Sequence, residues 1–372
     1  MFDLASGKEA WSSEEDVFGT WLSYSEKHDI LIESGRVARD TLFDEPKGMR
    51  AYSGVGKVLW SDKGYSGPAM IHGDDILQGQ GGCDLKTGKL KMRVDPISGL
   101  PVPWTWVRNY GCNTPAASEH LLTFRSGAAG FFDLCHDGGT GNLGGFRSSC
   151  TNNLIVAGGL LTAPDYTRTC TCSYQNQTSV ALIHMPEVEV WTSYGTKEVK
   201  GAIKRLGVNF GAPGDRMADD GTLWLEYPSV GGTSPALAIK TKPAKLETFR
   251  RHSSVVEGPL PWVGSSGVRG LEQFTLTLDK FARGAKKYTV RLYFAEPDDL
   301  VPGQRVFRVE IQGKARIDAL DVVREAGGPR RSLVKEFRGV SLHDELFLKL
   351  TPAPGSPVPS AILNGLEIIA EE

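Results

Sequence analysis

Two carboxylates and two aromatic rings stand close together in the second half of the chain: Asp219 and Asp220, then Trp224 and Tyr227. Aromatic faces cover the apolar face of a pyranose while acids accept its hydroxyls, so this grouping is what a sugar platform needs. Trp262 lies between Pro261 and Gly264-Ser265-Ser266-Gly267, a loop-like context that would offer its ring to a ligand. The competing reading takes Trp224-Leu225-Glu226-Tyr227 as an ordinary strand with Trp224 in the core. Asp219-Asp220 and Asp298-Asp299, with Glu296 near the second pair, supply the oxygen ligands that Ca²⁺ prefers. No EF-hand spacing accompanies them, and solvated loop carboxylates are the plainer reading. A glycosidase needs two carboxylates aimed across a cleft, a relation that spacing along the chain does not define.

Thiol chemistry is confined to one region, where Cys83, Cys112, Cys135, Cys150, Cys170 and Cys172 include every cysteine of the chain. An even, clustered count in a glycine-rich segment predicts disulfides, with the pairing left open. Cys135-His136-Asp137 and Cys170-Thr171-Cys172 contain zinc-type ligands but lack the two-residue spacer of zinc knuckles, so disulfides are preferred to metal. His28, His72, His120, His184, His252 and His343 stand singly, with no serine or cysteine nucleophile motif beside them. No phosphate-cradling loop, dinucleotide fingerprint or zinc-protease motif occurs. Lysine and arginine (42) balance aspartate and glutamate (44), and the mixing leaves no basic face to neutralise a phosphate backbone, which argues against nucleic acid. No apolar run reaches the roughly 18 residues of a bilayer-spanning helix.

The elements that must hold these groups are short strands. Glycine (44) and proline (21) are spread along the whole length, which implies many turns. The phrase Asp3-Leu4-Ala5-Ser6-Gly7-Lys8-Glu9-Ala10-Trp11 returns as Ser53-Gly54-Val55-Gly56-Lys57-Val58-Leu59-Trp60 and as Asp84-Leu85-Lys86-Thr87-Gly88-Lys89-Leu90-Lys91-Met92. A repeated turn followed by a large residue marks repeated supersecondary units, here with unequal loop insertions. Between the turns run Asp29–Glu33, Asp75–Gly79, His120–Phe124 and Asn153–Ala157, and Val180–Met185 reads as a buried strand closing the region. These phrases resemble the repeats of PQQ-like β-propellers, whose blades carry an Asp-x-x-Thr-Gly-Lys-x-x-Trp type of turn. The resemblance implies a partial propeller of about four to five blades over residues 1–186. A vicinal Cys-Cys pair is a feature of the quinone-dependent alcohol dehydrogenases of that superfamily, whereas Thr171 separates the two sulfurs here.

Residues 187–202 alternate charged and apolar character and then turn polar, which predicts an edge strand and a linker. From Ile203 onward the strands lengthen: Phe274–Leu278, Tyr288–Phe294, Val306–Ile311, Leu346–Leu350 and Ile362–Ile369 show period-two hydrophobicity, as expected of an antiparallel sandwich. The phrases Tyr288–Glu296, Gly303–Gly313 and Asn364–Ile369 resemble malectin-like domains. That resemblance implies a jelly-roll β-sandwich over residues 203–372, similar to several carbohydrate-binding modules. Sugar-binding members use loop aromatics and acids; the opening Gly207-Val208-Asn209-Phe210-Gly211 lacks their tyrosine-rich loop.

The expectation is an all-β protein that binds or scaffolds at the cell envelope without catalysis, with carbohydrate recognition by the second domain through Trp262, Trp224, Tyr227, Asp219 and Asp220. The alternatives are a quinone-dependent dehydrogenase fragment and a structural protein-interaction scaffold. No cofactor is expected, Ca²⁺ and PQQ being the exceptions the resemblances and acid pairs would admit. The partner is a glycan or a cell-surface protein, with oligomeric state undefined. Disulfides place the chain in an oxidising compartment, periplasm or cell surface. Met1-Phe2-Asp3 opens inside a repeat turn, so upstream blades and an export signal are expected in a longer precursor.

Overall fold

The computed structural model describes residues 1–35, 45–111, 114–146, 152–164, 179–185, 187–195, 198–279 and 281–371. The chain is all-β and divides into two compact units, residues 1–93 with 101–184, and residues 94–100 with 185–372.

The first unit consists of consecutive antiparallel meanders. Trp21–Ser25, Ile30–Ser34, Met49–Ser53 and Val58–Asp62 form the first, and Met70–His72, Asp75–Gln78 and Gly81–Asp84 the second. Ala116–Ala117, Leu121–Ser126, Ala128–Asp133 and Thr140–Asn142 follow, then Ile155–Ala157, Leu160–Ala163 and Val180–Ile183. The last strand is not buried as its apolar composition suggested: Ile183 is 67% exposed, because among the described residues the strand pairs only with Leu160–Ala163 and has one face open.

The first and third of the repeated turns share one hydrogen-bond pattern, while in the second Gly56 N donates to Ser53 O and Lys57 N to Ser53 Oγ. Asp3 Oδ1 accepts from Ser6 N (2.7 Å) and Ser6 Oγ (2.6 Å), and Asp84 Oδ1 from Thr87 N (2.8 Å) and Thr87 Oγ1 (2.6 Å). Gly7 N and Gly88 N each donate back to the aspartate carbonyl, with φ of 65° and 66°, the left-handed region that glycine enters without penalty. Each tryptophan that ends a turn lies on the next turn's glycine: a Cβ at Gly56 would stand 2.7 Å from the Trp11 ring, and one at Gly88 2.7 Å from the Trp60 ring. Trp11 Nε1 donates to Gly54 O (3.0 Å) and Trp60 Nε1 to Leu85 O (2.9 Å), so each indole is satisfied by the turn it covers. Two further turns of this type were not apparent from the repeat phrase. Asp95 Oδ1 accepts from Ser98 N (2.7 Å), and Asp133 Oδ1 from Cys135 N (2.8 Å), with Asp137 (φ 51°) standing where glycine stands elsewhere.

The disulfide expectation is corrected at two positions. Cys83 is a free, fully buried thiol and Cys135 a free, exposed one. Cys83 sits in an apolar core with Ile30, Ile32, Met49 and Ile76, where it packs as a small hydrophobe. Cys112, Cys150, Cys170 and Cys172 lie outside the described residues.

The second unit is a two-sheet sandwich. One sheet runs in the order Arg216–Met217, Leu223–Tyr227, Arg205–Phe210, Gly365–Ala370, Lys286–Phe294, Leu333–Leu342. The other runs Ile239–Lys242, Gln273–Thr277, Glu345–Pro352, Val306–Ile311, Lys314–Asp321. A smaller sheet of Glu247–Arg250, Ser266–Arg269 and Ile362–Leu363 accompanies them. Period-two alternation sends Val208, Leu225, Val290 and Leu292 from the first sheet, and Phe274, Leu276, Val309 and Leu348 from the second, into one core. The segment 94–100 joins this unit because Lys204 N and Arg205 N donate to Ile97 O (2.7 and 3.1 Å) and Ile97 enters the same core. Of the predicted edge strand over 187–202, only Thr192–Ser193 is extended strand among the described residues.

Candidate functional site

A cluster of rings covers the outer face of the six-stranded sheet. In Leu223–Tyr227 the alternation turns Leu223, Leu225 and Tyr227 toward the core and Trp224 to the opposite face. Tyr227 meets Phe210 edge-on at 6.0 Å and takes no part in the outer cluster. Trp224 lies flat on two glycines: a Cβ at Gly207 would stand 2.1 Å from its Cδ2, and one at Gly365 2.9 Å from its Cζ3. Tyr293 and Trp262 meet the indole edge-on, at 5.1 and 5.7 Å. The result is a ring only 1% exposed, which offers no face to solvent. Trp262 is itself nearly buried, on the single-turn helix Pro261–Gly264.

Two residues that the spacing of aromatics and acids did not reveal complete the cluster. Trp191 is half-buried and meets Trp262 edge-on at 6.1 Å. Arg216 is the direct cross-strand partner of Trp224, so it projects from the same face. Its guanidinium stands 4.9 Å over the Trp262 ring and 5.9 Å over the Trp191 ring. Trp191 lies in the stretch that reads as an edge strand and linker, and Arg216 in a Gly-Asp-Arg turn, so only the cross-strand register could have pointed to them. Asp219 and Asp220 sit exposed in the turn that returns the chain into Leu223–Tyr227. Asp220 Oδ1 accepts from Thr222 N (2.9 Å), and its carbonyl accepts from Arg205 Nη1 (2.7 Å).

Charge in this region is unevenly compensated. Burial lowers the Arg216 pKa, and the charges of Glu189 and Asp219 offset only part of that. Burial alone would raise Glu189, but Ser253 N and the Trp191 indole (3.2 Å) donate to it and hold it below the usual carboxylate range. Beneath the rings, Glu367 accepts from Thr222 Oγ1 (2.7 Å), Arg291 Nη1 (3.0 Å) and Tyr293 Oη (3.1 Å), and burial followed by this carboxylate pushes the tyrosine hydroxyl up. Asp215 is fully buried and burial raises it to about 6, even though Tyr194 N (2.9 Å), Glu226 N (3.2 Å) and Ser234 Oγ donate to it. An acid so enclosed can hold a proton but cannot reach a glycosidic oxygen.

The other acid group is occupied by arginines. Glu296 pairs with Arg305 (2.6 Å), Asp298 with Arg269 (2.7 Å) and Arg305 (3.2 Å), and Asp299 with Arg330. Among the described residues no group of three or more histidine, cysteine or acid side chains is placed to hold a metal ion.

Residues 273–350 match the malectin domain family. This stretch runs from the Gln273–Thr277 strand into Glu345–Pro352, so a malectin domain lies within the all-β sandwich. No curated protein matches the chain. Among solved structures, the extracellular domain of ANXUR2 from Arabidopsis thaliana is 19% identical, with 46% of this chain and 49% of that one covered and a TM-score of 0.35. The plant receptor-like kinase FER is 20% identical over 45% of this chain and 42% of that one, with a TM-score of 0.33. A β-glucuronidase of Bacteroides uniformis is 13% identical over 70% of this chain and 29% of that one, with a TM-score of 0.38. The chain thus spans half or less of the length of each of these structures.

Proposed function

We propose that this is a non-catalytic saccharide-recognition protein acting outside the cytoplasm, with the ligand held on the outer face of the sandwich. The observation that carries the reading is the half-buried Trp191 beside Trp262, with the Arg216 guanidinium stacked on both and Asp219 exposed in the adjoining turn. A ring face for the apolar side of a pyranose, fixed N–H donors for its oxygens and a carboxylate for its hydroxyls are the three contacts a sugar needs. The malectin-domain match supports the same reading, as it supports an exported protein with a glycan or cell-surface partner. No described helix is long and apolar enough to cross a membrane. Within this reading Trp224 is a support, Tyr227 belongs to the core on the other face, and Trp262 is the floor on which Trp191 and Arg216 rest.

We read the meanders of the first unit as blades of a PQQ-like propeller on residues 1–186, followed along the chain by a sandwich on residues 203–372. The shared Asp-Ser/Thr-Gly hydrogen bonds and the docking of each tryptophan on the next glycine favour it. The unit would then be the carrier and the sandwich the reader of the ligand.

The test is titration of the full chain against a broad glycan panel, with Trp191→Ala in parallel. Saturable binding to a glycan, lost in a Trp191→Ala protein with an unchanged melting curve, is the expected result. If no glycan binds, the reading fails and a protein-interaction role takes its place.

A further inference from the structure

Three arginines of the sandwich are paired with carboxylates. Arg305 (4% exposed side chain) holds Glu296 at 2.6 Å, Arg291 holds Glu367 at 3.0 Å, and Arg269 holds Asp298 at 2.7 Å. Each of these three has a carboxylate at hydrogen-bond distance, which offsets the cost of removing an ion from water, and half-buried Arg205 donates instead to the Asp220 carbonyl at 2.7 Å. Arg216 is also half-buried, yet among the described residues its guanidinium makes no hydrogen bond or ion pair and stands over the Trp191 and Trp262 rings. The nearby Glu189 is spent on Ser253 N and the Trp191 indole, and Asp219 stays in solvent.

Stacking on an aromatic face orients a guanidinium and leaves its N–H edges pointing away from the ring. Those edges form a planar fork that matches the two oxygens of a carboxylate. Resting on the saccharide reading above, we propose that the ligand is a uronic-acid saccharide whose carboxylate binds Arg216 while its ring lies against Trp191. The carboxylate supplies the counter-charge that the protein gives Arg269, Arg291 and Arg305 but withholds from Arg216. Asp219 stands near the same guanidinium, so its charge opposes an acidic ligand and would assist a neutral one. That opposition separates the two cases.

The experiment is isothermal titration calorimetry of the full chain with matched pairs: oligoglucuronate, oligogalacturonate and oligomannuronate, each against its carboxyl-reduced neutral counterpart, and a 6-sulfated oligosaccharide. For one pair the acidic member binds at least about tenfold tighter, the scale of one charge-assisted bidentate contact. Arg216→Gln brings that affinity down to the neutral level, Arg216→Lys leaves an intermediate preference, and Asp219→Asn widens the preference for the acidic member. Should Arg216→Gln not fold, the lysine variant and the salt dependence of wild-type binding carry the test, with added salt weakening the acidic member and not the neutral one. Equal affinity within every pair, or an acid preference that survives Arg216→Gln or added salt, overturns the proposal while leaving saccharide binding intact. Preference for the sulfated sugar overturns the carboxylate assignment. Silence on every saccharide overturns the underlying reading and this proposal with it.

Discussion

Replacing Gly207 with alanine should loosen the ring cluster from beneath, with a cost that can be reckoned from the geometry. The added Cβ would stand 2.1 Å from Trp224 Cδ2, 2.5 Å from Cγ and 2.6 Å from Cε2. Ordinary carbon contacts lie at about 3.5–4.0 Å, so the indole must retreat by roughly 1.5 Å. Retreat is blocked, because Tyr293 and Trp262 meet the ring at 5.1 and 5.7 Å and almost none of it faces solvent. Overpacking a filled core costs about 1–3 kcal/mol, and a fused ring pinned on several sides belongs at the upper end. About 3 kcal/mol corresponds to a rise of roughly 150-fold in the local opening constant. Hydrogen-exchange mass spectrometry of the full chain would read this in peptides covering residues 205–210 and 365–370, the strands on which Trp224 lies. In a Trp224→Leu background the same glycine substitution should cost less than about 1 kcal/mol, because the atoms it strikes are gone. Wild-type exchange in Gly207→Ala, or an equal cost in both backgrounds, would refute the account of how the cluster is held.

Other consequences follow from individual groups. Asp215, pushed up to about 6 by burial, titrates near its ordinary value in the unfolded chain; below pH about 4 both states are protonated, and between about 4 and 6 only the unfolded state ionises, so its contribution to stability falls as pH rises through that window and stays low above it. Denaturation series at pH 4, 5, 6 and 7 should show this loss, on the order of 3 kcal/mol, flattened in Asp215→Asn, and an unchanged slope in the variant would count against the assignment. Glu367→Ala strips Tyr293, Thr222 and Arg291 of a shared buried acceptor and should destabilise the sandwich by about 3–5 kcal/mol, whereas a loss under about 1 kcal/mol in chemical denaturation would show that water replaces it. The Cys83 thiol is pushed up to about 12 by burial, so iodoacetamide at pH 8 should label Cys135 in the native protein and Cys83 only after unfolding; equal labelling by peptide mass spectrometry would contradict the burial.

The strands and the turns were legible because their causes are local. Alternation in Gln273–Thr277 and Lys286–Phe294 marks one face for the core, and Asp84 with Thr87 and Gly88 builds its turn from atoms within a few residues. The Asp95 and Asp133 turns escaped notice because they keep the hydrogen bonds while changing the residues, with leucine in the lysine position of one and aspartate in the glycine position of the other. Trp224 and Tyr227, three apart on a strand, were bound to face opposite ways, and period-two reasoning alone separates them. Clustering of cysteines along the chain suggests disulfides but says nothing about which sulfurs meet in space, and Cys83 is free.

By itself, then, the sequence determined an all-β chain with repeated capped turns, a sandwich with its inward residues marked, and a set of aromatics suited to a sugar. It could not determine which of those aromatics reach solvent. Burial of the outward face of Leu223–Tyr227 depends on the Pro261–Gly264 helix turn lying over it, and that turn is distant in sequence from the strand. The union of Trp191, Arg216 and Trp262 likewise follows from the pairing of Arg216 with Trp224 and of Thr192 with Asp215. Such contacts are set by register and packing among separated segments, which the hydrophobic pattern of any single segment does not encode.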